Sequence, residues 1–184
     1  MSSMPAGNTS VDIRLIDTDE FTRLVGPAAE IYGAAMQRAS DLVAQRRDIM
    51  AGHVDRPGFV AAVACENDDL VGFGYGYHGR PGEWWHDVVA AALGREAARV
   101  WLSDAFELAE LHVHPAHQGA GVGRQLLDTV LGAAGGRTVV LSTHDRETVA
   151  RSLYRSVGFT DLLSNFCFPG SGEVYAVLGL QWRA

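Results

Sequence analysis

Cysteine is nearly absent. Cys65 and Cys167 are the only two in 184 residues, which leaves no disulfide framework and no CxxC pair for zinc or redox work. Basic residues are also short, with 15 Lys and Arg against 22 Asp and Glu and a formal net charge of -7. That deficit excludes broad adhesion to nucleic acid or anionic lipid, both of which need a basic surface. The acidity suits a cationic acceptor, and it equally serves to keep a protein dissolved. No stretch offers eighteen uninterrupted apolar residues, and the opening MSSMPAGNTS lacks the basic start and apolar run of a signal peptide. We therefore expect a cytoplasmic protein without nucleic-acid or membrane partners. Residues 1–10 should form a disordered tail and residues 11–184 a single domain.

Val11, Ile13 and Leu15 alternate with polar residues as a strand does. Asp17 and Glu20 then resemble a capping box opening a helix to about Met36, and Ser40 can cap a second helix from Asp41 to about Met50. FVAAVAC (59–65) and LVGFGYGYH (70–78) read as a hairpin around Glu66-Asn67-Asp68-Asp69. Gly72, Gly74 and Gly76 weaken a strand, so they mark either a bulge or a close approach. Between Pro81 and Ser103 the apolar spacing predicts one or two helices despite Gly94.

AFELAELHV (105–113) is the next strand. Val122, Leu126, Leu127, Val130 and Leu131 line one face of a helix that stops at Gly135-Gly136. TVVLST follows as a strand, then a helix from about Arg146 to Val157 that Gly158 ends, then a hairpin of 159–168 and 174–182. The order predicts an α/β fold: a mixed sheet with helices packed on it.

The strand ending at Val113 leads through His114-Pro115-Ala116-His117 into Gln118-Gly119-Ala120-Gly121-Val122-Gly123-Arg124, where a helix begins. Exposed N–H groups at a helix start converge on one spot, and the helix dipole favours an anion there by about 0.3 to 1 kcal/mol. Three nucleotide-loop patterns compete. A Walker loop needs Gly-Lys-Ser/Thr, which is missing, and a Rossmann fingerprint from Gly119 needs a glycine where Arg124 stands. A plain strand-to-helix turn remains the bland alternative.

Gln118-x-x-Gly121-x-Gly123 resembles the Gln/Arg-x-x-Gly-x-Gly/Ala signature of the GCN5-related N-acetyltransferase (GNAT) superfamily. Leu111-x-Val113-x-Pro115 is similar to the strand and turn before that loop. Leu141, Ala150, Leu153-Tyr154 and Gly158-Phe159 resemble the following strand and the second signature. The detailed likeness covers residues 107–160.

The resemblance implies a central mixed, mostly antiparallel sheet with splayed parallel strands and helices around it. It implies an acetyl-coenzyme A-dependent enzyme, with the coenzyme pyrophosphate on the amides of Gln118, Gly119, Ala120, Gly121, Val122, Gly123 and Arg124. Backbone groups of Leu111, His112 and Val113 would pair with the pantetheine arm. Glu147 stands where the family usually has an asparagine that reaches the coenzyme, and by that position it is counted among the coenzyme-binding residues.

The implied chemistry is direct transfer to a primary amine of a small molecule or peptide, and family members are often dimers. A protonated amine must lose a proton before it attacks. Glu107 has a spacing from Gln118 like that of the general base in histone-modifying members, and Glu110 is the alternative. On a regular strand the two face opposite sides, and both could equally be solvated strand residues. Tyr154 matches the tyrosine that protonates the departing thiolate. A domain that binds the coenzyme without catalysis is the rival reading, and a nucleotide oxidoreductase is disfavoured by Arg124.

His112, His114 and His117 share too little with cysteine or carboxylate ligands to form a tetrahedral metal site, so no metal is expected. Trp84, Trp85 and Trp101 either pack or line an acceptor pocket. Glu83, Asp87 and Glu173 could attract a cationic amine.

Overall fold

The computed structural model describes residues 10–181. All but Ser10 of the expected tail, and Trp182 of the expected last strand, lie outside the described residues.

In chain order the elements are β1 (Asp12–Ile16), α1 (Thr18–Met36), α2 (Ser40–His53), β2 (Val60–Glu66), β3 (Asp69–His78), α3 (Trp84–Leu93) and α4 (Arg95–Trp101). There follow β4 (Ala105–Val113), a 3₁₀ turn (Pro115–His117), α5 (Val122–Ala133), β5 (Thr138–His144), α6 (Val149–Val157), β6 (Thr160–Phe166) and β7 (Tyr175–Gln181). The seven strands form one mixed sheet in the order β1-β2-β3-β4-β5-β7-β6. The described residues divide into two compact units, one of 10–54, 61–74 and 111–131, the other of 55–60, 75–110 and 132–181.

In the first unit β1 runs antiparallel to β2, with Ile13 opposite Ala64. The Asp17 carboxylate accepts the Glu20 N–H at 2.8 Å and starts α1. Only half of a capping box forms, because the Glu20 carboxylate takes the Arg14 guanidinium instead. Phe21, Val25, Ala28 and Tyr32 make the buried stripe of this helix. Ser40 does not cap α2: the helix starts on Ser40 itself, with Ala39 at the cap position and no side-chain bond there, and continues to His53. Asn67 (φ 50°) and Asp68 (φ 69°) are both left-handed, the arrangement that suits a tight hairpin turn between right-twisted strands. Leu126, Leu127, Val130 and Leu131 are buried along α5, as their spacing predicts.

In the second unit Gly94, at φ 79°, separates α3 from α4, so the Trp-rich segment is two helices. Val89, Leu102, Ala105, Val140, Phe168 and Val177 form the core, with Trp85 and Trp101 packed on it. Those two tryptophans are packing residues, whereas Trp84 is 58% exposed and meets only the edge of this cluster, at Phe168. A Cβ at Gly76 would fall 2.3 Å from the Glu107 carbonyl oxygen and 2.4 Å from the Phe106 ring, so this glycine marks a close approach. Helix α6 begins at Val149, three residues later than the sequence suggests, because Thr148 caps it through the Arg151 N–H.

Strand β4 runs parallel to β5 for three pairs only, from Ala105↔Thr138 to Glu107↔Val140. Both strands continue past that point, to Val113 and His144. Glu107 is thus the last paired residue before the parallel strands part.

Candidate active site

The first unit carries the candidate phosphate loop. The Gln118 side-chain amide donates to the Val113 carbonyl at 2.9 Å, tying the loop to the end of β4. Gly119 and Gly121 sit at φ 81° and 82°, a region that favours glycine. A Cβ at Gly119 would have nothing within 4 Å, and one at Gly121 only the Gln125 amide nitrogen at 3.9 Å. The space in front of this backbone is therefore open.

The first α5 bond runs from the Gln125 N–H to the Gly121 carbonyl. The N–H groups of Val122, Gly123 and Arg124 precede it and have no carbonyl one turn back to bond. Amides without bulk before them, at the positive end of a twelve-residue helix, fit a pyrophosphate. The Arg124 guanidinium pairs with Asp128 at 2.9 Å.

The second unit carries the candidate acid–base groups. Glu107 is 5% exposed and Glu110 is 6% exposed, so the reading of both as solvated strand residues is corrected. The Tyr77 hydroxyl donates to Glu107 Oε1 at 3.1 Å. The Arg56 guanidinium lies 4.7 Å from the Tyr77 ring centroid and pairs with Glu83 at 2.7 Å. Glu107 Oε2 is buried without a hydrogen-bond partner among the described residues. Burial pushes the Glu107 carboxyl up to about 7, although the Tyr77 bond and the Arg56 charge pull the other way.

Glu110 acts elsewhere on the electrostatics. Burial first, and the Glu110 charge second, hold the Tyr154 phenol above its ordinary value and so in its protonated form. Tyr154 is buried on α6, edge-on to Phe159 at 5.6 Å. Glu147 lies before α6 with a side chain 75% exposed and pairs with Arg155 at 2.8 Å.

The three histidines have separate surroundings. His112 packs edge-on to Tyr32, His114 accepts the Ala116 N–H, and His117 contacts Glu66 at 3.2 Å. Among the described residues no group of three or more His, Cys, Asp or Glu could hold a metal. Glu83, Asp87 and Glu173 are spent on local partners: Arg56, the Gly82 N–H and the Tyr175 hydroxyl. Sequence reasoning did not find Tyr77 or Arg56. The signal available for Tyr77 was its period-2 spacing from Tyr75, but its partner thirty residues on depends on strand register.

Residues 57–161 match the family described as the acetyltransferase (GNAT) domain. GCN5-like protein acetyltransferase Rv2170 of Mycobacterium tuberculosis is 31% identical over 91% of this chain and 97% of its own length. N-alpha-acetyltransferase RimI of the same organism is 44% identical over 54 residues, 29% of this chain and 34% of the relative. The structure of yncA from Salmonella typhimurium with its cofactor acetyl-CoA superposes with a TM-score of 0.65 at 21% identity, covering 94% of each chain. No helix among the described residues is long and apolar enough to cross a membrane. With its family profile, a full-length relative and its mixed sheet in agreement, the chain belongs to the GNAT acetyltransferases, enzymes whose acyl donor is acetyl-coenzyme A.

Proposed function

We propose that this enzyme transfers acetyl directly from acetyl-coenzyme A to a primary amine of a small molecule or peptide, with Glu107 as the general base and Tyr154 as the general acid. The observation that carries this reading is Glu107: a buried carboxyl titrating near 7, one oxygen held by Tyr77 and the other without a partner among the described residues. A base with that pKa is ionised above neutrality yet still takes a proton readily. The Glu110 charge acts on Tyr154, whose proton it holds more tightly, so for the base we take Glu107. The reading takes 11–184 as one catalytic domain. Both cysteines are free, which suits the reducing cytoplasm in which we place it.

The amides of Gln118 through Arg124 would take the pyrophosphate, and backbone groups of Leu111 to Val113 the pantetheine. Glu147, paired with Arg155 at the surface, is assigned no contact. The bound ammonium gives one proton to Glu107, directly or through water, and its freed lone pair attacks the thioester carbonyl carbon. The C–N bond forms, the C–S bond breaks, and the thiolate takes a proton from Tyr154. The second proton on nitrogen restores the phenol, and Glu107 returns its proton to solvent, giving amide, thiol and one released proton.

The test is thiol release from acetyl-coenzyme A across polyamines, aminoglycosides, amino acids and peptides with free N-termini or lysines. At least one class should release thiol, at a rate that rises through pH of about 7. Coenzyme binding without release across the whole panel would favour a coenzyme-binding module.

A further inference from the structure

The buried face of α6 holds only two buried residues, Arg151 and Tyr154, three apart and so neighbours on the helix. Arg151 is 3% exposed. Its Nη1 donates to Asp145, just past the end of β5, and its Nη2 to Asp161 on β6 at 2.6 Å. The second oxygen of Asp145 accepts the N–H of Asn165, a left-handed residue (φ 52°) in β6. One guanidinium thus ties the first turn of a nine-residue helix to two other segments.

Tyr154, on the same buried face of α6, meets the Phe159 ring at 5.6 Å between centroids. The phenol is carried by α6, so its place follows where that helix sits. Buried ion pairs are weak stabilisers, because an apolar replacement of similar volume often does as well. A clamp of this kind is better suited to fixing geometry than to holding the fold.

We propose that Arg151 is a positioning residue for Tyr154: its clamp on Asp145 and Asp161 sets the seat of α6 and thereby delivers the phenol to the departing sulfur. The proposal rests on the acid role given to Tyr154 above. Arg151 itself touches no reacting atom. Its other charged neighbour across the clamp is Arg155, 3.9 Å from Asp161.

A double-mutant cycle decides it. Arg151→Met should lower kcat about tenfold or more, with KM for acetyl-coenzyme A within about twofold. In a Tyr154→Phe background the same change should cost less than about twofold, because the group it positions is already gone. Arg151→Lys, which keeps the charge, should recover part of the rate.

Equal losses in both backgrounds, or an undiminished kcat in Arg151→Met, would overturn the clamp while leaving the acid role intact. An undiminished kcat in Tyr154→Phe alone would overturn the acid role, and the clamp with it. If Arg151→Met does not fold, Asp161→Asn, which loosens one jaw only, takes its place in the same cycle and is read in the same way.

Discussion

In the proposed reaction the loop at Gln118–Arg124 and the carboxyl group of Glu107 would handle charge by opposite means. In the loop the work falls to main-chain N–H groups beside open space, at glycines with φ of 81° and 82°. At Glu107 it falls to one buried side chain whose partners come from other segments, at Tyr77 and Arg56. A main-chain site depends on backbone conformation, so a side chain that resists a left-handed φ disturbs it. A buried carboxyl is graded, because each neighbour moves its proton affinity by a step.

The largest effect separates the two directly. Gly121→Val forces a β-branched residue into a left-handed conformation, and titration calorimetry should show acetyl-coenzyme A binding abolished. Normal affinity would mean that the loop does not depend on its backbone shape.

Glu107→Gln comes next. It should lower kcat/KM by roughly 10² to 10⁴ while leaving coenzyme binding in calorimetry unchanged. It should also change stability in a pH-dependent sense. The carboxyl's folded value of about 7 lies above its ordinary 4.5, so its contribution to stability is full below about 4.5 and is lost as pH rises through 7. The glutamine variant should therefore melt higher than the parent at pH 8, by a margin on the order of 3 kcal/mol, and show no such gain at pH 4.5. A difference between variant and parent that does not change from pH 4.5 to pH 8 would place Glu107 in water.

The smallest effect sharpens the graded half of the comparison. Tyr77→Phe removes the donor to Glu107 Oε1 and with it a bond that favours the carboxylate. The acidic limb of the pH–rate profile should move upward by roughly half to one pH unit. An unmoved limb would show that Tyr77 only packs.

The same contrast explains what could be read from the sequence. The loop is local: strand, glycines and the apolar stripe of α5 follow one another within thirty residues, and each left its own signature. The strand 105–113 was equally plain, whereas the spacing left open whether Gly94 divides its segment into two helices. Ser40 was misread because serine is a good cap in isolation, yet Ala39 takes that position without a side-chain bond.

The start of α6 was placed too early because Thr148 rather than the preceding segment supplies the cap, while Asp145 is engaged by Arg151 and Asn165. Glu107 and Glu110 could be named as carboxylates, but not seen as buried, since burial comes from strands far away in sequence. The partners Arg56, Tyr77 and Glu83 meet Glu107 only once register is set, and residue spacing alone does not hold that information.

The missing side chain at Gly76 sets part of that register. One carbon there would enter the Phe106 ring and the Glu107 carbonyl, so a one-residue slip that put Tyr75 or Tyr77 in its place would collide. Tyr77 is the next residue, and the strand that seats Gly76 also carries its hydroxyl to Glu107. Position 76 thus has an alphabet of one letter although it takes part in no chemical step. Selection on the fold should guard this codon as strictly as it guards the buried carboxyl beside it.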